Sequence, residues 1–336
     1  MKKRNIILAA FLALLTGCRD PQSTLDPAGP AAGGISRLSW IVFIIFIAVS
    51  IAMWILIVVA GGKRRGNLVE HAPVDEGGGQ GWILIGGLAF PFVILAVIFT
   101  LGLITMSGFP IHENSPHPDP EIRIVGHQWW WELKYVDGPL QHHFTTANEL
   151  HMPTGRPVDI EVQSADVIHS FWVPRLQGKV DLIPGQPNRI RLVANTAGTY
   201  EGQCSEYCGA QHAHMRILVI AQAPNDYAAW REQSLQPGHS PDSDEEKFGQ
   251  QVFLRSACPL CHSVAGSLAQ GLVGPNLTHI GSRRSLASNS LINNTANLQA
   301  WVTHAQALKP EVAMPNITQF TGAELRALVA YLRHLQ

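Results

Sequence analysis

The sequence is poor in charged residues. Lys, Arg, Asp and Glu together make up 15% of its 336 residues, whereas soluble globular proteins contain roughly 25%. The formal net charge is −1, so the composition lacks the basic surplus that binds the phosphates of nucleic acid. Composition therefore excludes a nucleic-acid partner, and the scarcity of charge indicates that part of the chain lies in lipid.

Cysteine is also scarce. The chain has five cysteines, of which Cys18 stands alone and the other four form two close pairs, Cys204 with Cys208 and Cys258 with Cys261. An odd number in tight local clusters does not resemble the disulfide framework of a small secreted protein. The spacing favours metal binding or cofactor attachment for the two pairs.

The N-terminus has the pattern of an export signal. Residues 1–17 have a basic start, a short apolar centre and small residues near their end, which is typical of a secretory signal peptide rather than a membrane span. The ending Leu-Thr-Gly-Cys resembles the lipobox of bacterial lipoproteins, which implies lipidation of Cys18; an ordinary signal peptide with an incidental cysteine is the alternative. Residues 18–38, rich in Pro, Ala and Gly, are predicted to form a flexible tether.

Two long apolar runs follow the tether. Residues 39–60 and 82–106 contain no charged side chain, and each is long enough to cross a hydrocarbon core of about 30 Å as a helix. Pro91 predicts a kink in the second run. The basic segment 63–65 places the connecting loop in the cytoplasm and the rest of the chain on the outer face. The pattern predicts a two-helix transmembrane hairpin over residues 39–107.

The remainder of the chain divides into two domains. Residues 120–233 contain short runs of β-branched and aromatic residues at a period of two, separated by Gly and Pro, which predicts a β-sandwich or barrel. Residues 234–243 form a polar Pro/Gly/Ser linker. Residues 244–336 begin and end with amphipathic helical patterns, the last opened by a capping box of Thr321 and Glu324. These residues are predicted to form a small all-α domain.

The helical domain carries a C-x-x-C-H motif, Cys258-Pro-Leu-Cys261-His262, which is typical of c-type haem attachment. The two thiols bond the vinyl groups of one haem, and the histidine ligates its iron. A zinc site would need a second Cys/His pair and a thioredoxin-like site a βαβ setting, and the sequence pattern offers neither. Met314 is the only methionine after the motif and is predicted to be the second axial ligand. The domain resembles a small class I cytochrome c over residues 244–336.

A second motif, GQCSEYCGAQHAHM at residues 202–215, brings two thiols, an imidazole and a thioether into one loop. Soft sulfur ligands select copper, and a mononuclear blue-copper site uses a single cysteine. Two cysteines four residues apart instead allow two thiolates to bridge two copper ions. A second histidine has to come from elsewhere, and His169 in DVIHSFWVP stands at the predicted end of a strand.

These two segments together resemble the CuA site of cytochrome c oxidase subunit II. Residues 36–235 resemble that subunit as a whole, a membrane hairpin followed by a cupredoxin-like Greek-key β-barrel. The resemblance implies that electrons enter at Trp129 in GHQWWWELKY, and that the Glu206 side chain contributes to a Mg²⁺ site shared with subunit I. Asp166 and Asp181 match positions with hydrogen-bonding roles, whereas His214 is expected to lie outside the ligand set. The implied ligands of the dinuclear copper are His169, Cys204, Glu206 (carbonyl), Cys208, His212 and Met215.

The sequence departs from this family at one position. Gly79, three residues before Trp82, stands where the family has a glutamate at the mouth of a proton channel. Glu70 or Glu76 is the alternative residue; without such a substitute, proton uptake through this subunit would lack its usual glutamate.

The predicted protein is thus a multidomain membrane protein, subunit II of a caa-type haem-copper oxidase with a fused cytochrome c domain. The resemblance implies that electrons pass from haem c through CuA to subunit I, which holds haem a and CuB and reduces O2 with proton translocation. The implied partners are subunits I and III, a donor such as the bc complex or a soluble cytochrome c, and a copper chaperone and thiol reductant for assembly. The expected location is the bacterial inner membrane, with both redox domains on the periplasmic face.

Two alternative functions use the same residues. One is the CuA subunit of a nitric oxide reductase, which differs in its catalytic partner rather than in this chain. The other is a free-standing copper and haem redox lipoprotein that has no catalytic partner.

Overall fold

A computed structural model describes residues 20–64, 79–108 and 120–336. The predicted signal peptide over residues 1–17 and the predicted lipidation site Cys18 lie outside the described residues. The chain folds as two units, Gly33–Phe109 and the remainder.

The first unit contains two apolar helices, α1 (Pro30–Arg64) and α2 (Gln80–Ser107), both long and apolar enough to cross a membrane. Most of their large apolar side chains are exposed, as expected of helices whose solvent is lipid. The segment Ile83–Ala89 of α2 is π-helical and ends directly before Phe90 and Pro91. Because Pro91 has no amide hydrogen and its ring excludes the carbonyl four residues earlier, the regular α-helical ladder cannot run through this point.

The structure differs from the predicted tether over residues 18–38. Helix α1 begins at Pro30, well before the predicted start of the first span at residue 39. The preceding residues lie on the β-domain, where the Arg175 carbonyl accepts a hydrogen bond from the Ala28 amide (2.7 Å) and the Arg175 guanidinium pairs with Asp26 (2.7 Å). The Pro, Ala and Gly residues that suggested flexibility also allow a backbone to approach a surface closely, and this second property prevails here.

The β-domain consists of ten strands. In chain order these are β1 Ile122–His127, β2 Trp130–Tyr135, β3 Phe144–Ala147, β4 Glu149–Pro153, β5 Val158–Ser164, β6 His169–Trp172, β7 Val180–Leu182, β8 Asn188–Leu192, β9 Gly198–Cys204 and β10 Arg216–Gln222. They form two five-stranded sheets in the orders β3-β2-β1-β5-β8 and β4-β10-β9-β6-β7. The pairs β1–β5 and β4–β10 are parallel and the others are antiparallel.

The alternating pattern of the sequence determines which residues form the core of this domain. Trp131, Leu133 and Tyr135 follow one another at a period of two along β2 and are all fully buried, because alternate residues of a strand point to the same face. Residues of both sheets share one apolar core. The fold confirms the predicted cupredoxin-like domain.

The C-terminal domain is helical, as predicted. Helix α3 (Pro224–Ser234) ends the β-domain, and the elements after the linker are α4 Asp244–Arg255, α5 Cys258–Cys261, α6 Thr295–Leu308, α7 Gly322–His334 and a small hairpin of β11 Ser285–Leu286 and β12 Leu291–Ile292. Single 3-10 turns lie at Leu140–His142, His212–His214 and Ile280–Ser282.

The first and last helices of this domain, α4 and α7, are both capped and closely packed. A capping box opens each of them, Ser243 with Glu246 and the predicted Thr321 with Glu324. At the crossing, a Cβ added to Gly249 would clash with the carbonyl group of Ala327. Glycine is therefore required at this position for the two helices to pack.

Candidate functional site

The predicted copper ligands come from two neighbouring strands and one loop. His169 opens β6 and Cys204 closes β9, and the two strands pair so that Phe171 lies opposite Cys204. The loop after Cys204 returns to β10 at Arg216, and a hydrogen bond from the Cys204 amide to the Met215 carbonyl (2.9 Å) closes it. Sheet and loop hydrogen bonds therefore fix both ends of the ligand segment.

The side-chain ligand atoms converge within this framework. Cys204 Sγ lies 3.9 Å from His169 Nδ1 and 3.8 Å from Cys208 Sγ. Cys208 Sγ lies 3.7 Å from His212 Nδ1 and 3.9 Å from Met215 Sδ. Such separations suit pairs of atoms bonded to one ion at about 2.0–2.3 Å, the distances at which imidazole and thiolate bind zinc. Each thiol thus has one imidazole beside it.

The remaining predicted residues lie around this cluster. The carbonyl oxygen of Glu206 is 3.2 Å from Cys204 Sγ, and its side chain is exposed. The ring of His214 forms a hydrogen bond outside the cluster, with His214 Nδ1 2.7 Å from Gln211 Oε1. Asp181 lies on β7, the strand paired with β6.

His169 is held from behind by a carboxylate. Its Nε2 lies 2.7 Å from Asp166 Oδ1, and Asp166 Oδ2 accepts a hydrogen bond from the Gln128 amide (2.7 Å). Burial opposes protonation, but the hydrogen bonds to Asp166 and Cys204 outweigh it and raise the pKa of His169. A carboxylate that holds one ring nitrogen while the other faces the site is typical of metal-binding histidines.

The two thiols of the cluster influence one another. The hydrogen bond between them lowers the pKa of Cys204, although burial opposes this shift. The same contact, together with burial, raises the pKa of Cys208. The lowered pKa of Cys204 favours its thiolate, which is the form that binds metal ions.

Trp129 lies directly against the copper loop, residues 204–215. Its Nε1 donates a hydrogen bond to the Cys208 carbonyl (3.0 Å), which also accepts one from Gln128 Nε2 (2.7 Å). The next residue, Gly209, has φ of +114°, and an added Cβ would lie 2.9 Å from Trp129 Cζ2. Both the positive φ and the close indole require glycine here.

Cys258–Cys261 of the C-x-x-C-H motif form α5, and His262 follows it. The motif lines a second site. His262 Nδ1 donates a hydrogen bond to the Pro275 carbonyl (2.7 Å), so Nε2 is the nitrogen left to bind a metal. Burial lowers the pKa of His262 and raises the pKa of Cys258. The imidazole is therefore neutral at pH 7, which is the form that ligates iron.

These residues face a cavity of about 240 Å³. Cys258, Cys261, His262 and Met314 all line it, among apolar side chains that include Val273, Leu277, Leu298 and Trp301. Part of its wall comes from the β-domain, through Gln128, Trp129 and Trp130.

The donor sets of the two sites fit the predicted groups. Two thiols with imidazoles, a thioether and a carbonyl are a soft set suited to copper. An apolar cavity with two thiols, a neutral imidazole and a thioether in its wall suits a covalently attached haem.

Two buried charges that join the two domains have no signal in the sequence. Lys309 is 3% exposed and Glu149 is 4% exposed, and each contacts the other domain. No local pattern distinguishes either residue from an exposed surface charge, so only the tertiary structure identifies them.

Comparison with known proteins agrees with this architecture. Residues 138–222 match the family described as cytochrome c oxidase subunit II, periplasmic domain, and residues 247–336 match the cytochrome c family. A cytochrome c oxidase subunit 2 from Alkalihalophilus pseudofirmus is 33% identical over 337 residues, which cover 97% of this chain and 95% of the relative. One from Bacillus subtilis is 26% identical and the match covers 98% of this chain and 97% of the relative.

A solved structure is also similar in sequence. The crystal structure of the periplasmic domain of subunit II of cytochrome oxidase (CoxB) of Bradyrhizobium japonicum is 32% identical and covers 35% of this chain and 95% of its own, with a TM-score of 0.32. The full-length match to the Alkalihalophilus relative establishes the family. The chain belongs to the cytochrome c oxidase subunit 2 family and carries a cytochrome c domain at its C-terminus.

Proposed function

We propose that this chain is the electron-transfer subunit of a haem-copper terminal oxidase, passing electrons from its own c-type haem through dinuclear copper to subunit I for reduction of O2 with proton translocation. When bound, the haem and the copper supply the one-electron chemistry. One observation carries the proposal: Trp129 both contacts the Cys208 carbonyl and lines the cavity that contains the haem-attachment motif.

In this proposal the protein supplies two preorganised ligand sets. Cys204 and Cys208 would hold the two copper ions as thiolates, and His169, His212, Met215 and the Glu206 carbonyl would supply the remaining copper ligands. Cys258 and Cys261 would hold the haem through thioether bonds, and His262 and Met314 would bind its iron. Asp166 orients the imidazole of His169 through the 2.7 Å contact with Nε2.

Trp129 is proposed as the residue through which electrons enter the copper site. The indole is 6% exposed and its Nε1 hydrogen bond reaches the backbone of Cys208. Its position in the wall of the haem cavity makes it an aromatic group shared by the two sites.

The exposed Glu206 side chain is proposed to contribute to a Mg²⁺ site completed by subunit I. The further proposed partners are subunit III, an upstream donor such as the bc complex or a soluble cytochrome c, and the copper chaperone and thiol reductant. The reductant is needed because neighbouring thiols outside the cytoplasm oxidise to a disulfide. The two apolar helices and lipidation of Cys18 would anchor the chain in the bacterial inner membrane, with both redox domains on the periplasmic face.

The test is metal and spectral analysis of the purified full-length chain. We expect two copper ions and one covalent haem per chain, with an electron paramagnetic resonance spectrum of one electron shared by two copper nuclei. His169→Asn should abolish that spectrum and His214→Asn, two residues from His212, should preserve it. A spectrum of a single copper nucleus in the unsubstituted chain would contradict the proposal.

Purification in mild detergent separates the oxidase from a nitric oxide reductase. A stoichiometric partner that reduces O2 supports the proposal, whereas a partner that reduces only nitric oxide overturns it. Recovery of the chain alone, with both metals bound, would favour the free-standing redox lipoprotein.

A further inference from the structure

A buried lysine of the cytochrome domain contacts the copper domain. Lys309 follows α6 and is 3% exposed. Its Nζ donates hydrogen bonds to the carbonyl oxygens of Trp129 (2.8 Å) and His214 (2.9 Å) in the copper domain, and of Ala287 (3.2 Å) in its own domain. The three donors of the ammonium group thus have three acceptors, and these lie on both sides of the domain contact.

A buried carboxylate of the copper domain makes the reverse contact. Glu149 in β4 is 4% exposed, and its Oε1 accepts hydrogen bonds from the Arg284 amide (2.8 Å), the Ser285 amide (2.8 Å) and the Ser285 hydroxyl (3.1 Å). Ser288 extends the contact, because its hydroxyl donates to the Arg216 carbonyl (2.7 Å). Lys309 and Glu149 are therefore buried charged side chains that contact polar groups of the opposite domain.

Burying a charged side chain costs free energy, and hydrogen bonds from the surrounding groups have to offset that cost. Burial lowers the pKa of Lys309 to about 7 and raises the pKa of Glu149, because each charge has left water. Such groups are tolerated only when their hydrogen bonds are satisfied. Two of the three acceptors of Lys309, and the three donors to Glu149 described above, are supplied only when the two domains meet in this orientation. The pair therefore adds directionality to a contact that is also crossed by hydrogen bonds from Arg283 to Thr146 (3.2 Å) and from Arg284 to Thr199 (2.6 Å).

The contact between the two domains places the haem cavity beside Trp129, the proposed electron entry residue. The carbonyl that receives Lys309 belongs to Trp129, whose side chain lines the haem cavity together with Cys258 and Met314. Val312, close to Lys309 in sequence, packs against the apolar core of the copper domain. The contact covers the indole that electrons are proposed to cross.

We propose that Lys309 and Glu149 are positioning residues that hold the cytochrome domain on the copper domain with the haem cavity against Trp129. In this arrangement the copper site receives electrons from the fused haem and is closed to soluble donors. The electron-transfer part of this inference rests on the proposed function, whereas the docking part does not.

Hydrogen–deuterium exchange of the full-length chain tests the docking without reference to the metals. The Arg284 and Ser285 amides bond to Glu149, so their exchange reports separation of the domains. Lys309→Met should speed exchange of both amides by about tenfold or more, since one buried polar contact is worth roughly that factor. Lys247→Met is the control, because Lys247 is exposed and its ammonium group pairs, at 3.9 Å, with Asp244 of its own helix. Unchanged exchange in Lys309→Met would overturn the inference.

A second variant approaches the contact from the other domain. Glu149→Gln keeps one acceptor oxygen and should speed exchange of the same amides by less than Lys309→Met does, with exchange in the core strand β5 unchanged. Faster exchange throughout the β-domain would show that Glu149 supports the barrel rather than the docking, and would overturn its role.

Electron transfer is measured on the metal-loaded full-length chain. After rapid photoreduction of the haem, transfer to copper should be at least about tenfold slower in Lys309→Met than in Lys247→Met, and a reduced soluble cytochrome c should now reduce copper directly. Unchanged transfer with faster amide exchange would overturn the positioning role. Failure of the proposed function is distinct, because it appears in the unsubstituted chain as missing copper or haem spectra.

Discussion

The copper site and the haem site are built on opposite plans. In the copper site the side-chain ligand atoms lie within 3.7–3.9 Å of their neighbours and are joined to one another directly. In the haem site His262 and Met314 line a cavity of about 240 Å³, which the proposed haem would fill. The predicted copper ligands are thus organised by protein contacts, namely sheet pairing, loop hydrogen bonds and the Asp166 carboxylate, whereas the predicted haem ligands line a cavity.

The largest expected effect breaks the comparison at the haem. Substitution of both Cys258 and Cys261 by serine should abolish covalent haem, because no thiol remains to form a thioether. The copper spectrum should persist, since none of the proposed copper ligands lies beyond Met215. Haem staining of denatured protein and paramagnetic resonance of the same sample measure both. Loss of the copper spectrum would show that the sites do not assemble independently.

A smaller effect sharpens the role of preorganisation at the copper site. Asp166→Asn replaces the carboxylate that holds His169 Nε2, and we expect copper affinity to fall by about 10- to 100-fold. Copper titration against a competing chelator measures the loss. Asp226→Asn, in the exposed first turn of α3, is the control and should bind copper as the unsubstituted chain does. Equal losses in both variants would contradict the orienting role of Asp166.

Packing of the haem domain can be tested apart from its cofactor chemistry. Gly249→Ala places a methyl group against the Ala327 carbonyl and should cost about 1–3 kcal/mol of unfolding free energy. Gly322→Ala is the matched control, because its added Cβ meets nothing closer than Arg326 Nη1 at 3.7 Å. Urea unfolding followed by haem absorbance measures both. A neutral Gly249→Ala would mean that α4 and α7 separate easily.

The smallest expected effect is a pH dependence confined to the β-domain. Burial lowers the pKa of His151 from 6.5 to about 4, and its ring stacks on Trp230 at 3.9 Å. The unfolded chain therefore binds a proton between these values and the folded chain does not, so stability falls as pH falls below 6.5. We expect a loss of about 1 kcal/mol between pH 7.5 and 5.5. Thermal unfolding of His151→Gln should lack this component, and an identical pH profile would contradict it.

The sequence predicted most of the architecture because its patterns are local. Alternation along β2, the capping box at Thr321 and the charge-free spans each depend on neighbours in the chain. The copper ligands were accessible for the same reason, since all but His169 lie within one loop. The structure brings the predicted ligand atoms together, while their roles stay predictions.

What escaped prediction depends on contacts between distant segments. Glu149 and Lys309 are separated by most of the two domains in sequence, and the burial that makes them important exists only when those domains meet. The attachment of Asp26 to Arg175 has the same origin. Composition suggested a flexible tether because it describes a segment without the surface on which it lies.

Gly209 has a consequence for engineering. Its φ of +114° and the Trp129 indole 2.9 Å from the position of an added Cβ make the copper loop and the tryptophan a single interlocked shape. A loop of residues 204–215 transplanted into another cupredoxin barrel would bring its ligands but leave behind the surface that shapes its turn. A graft that retains the loop's own conformation should therefore include the segment around Gln128 and Trp129, although it lies far from the loop in sequence.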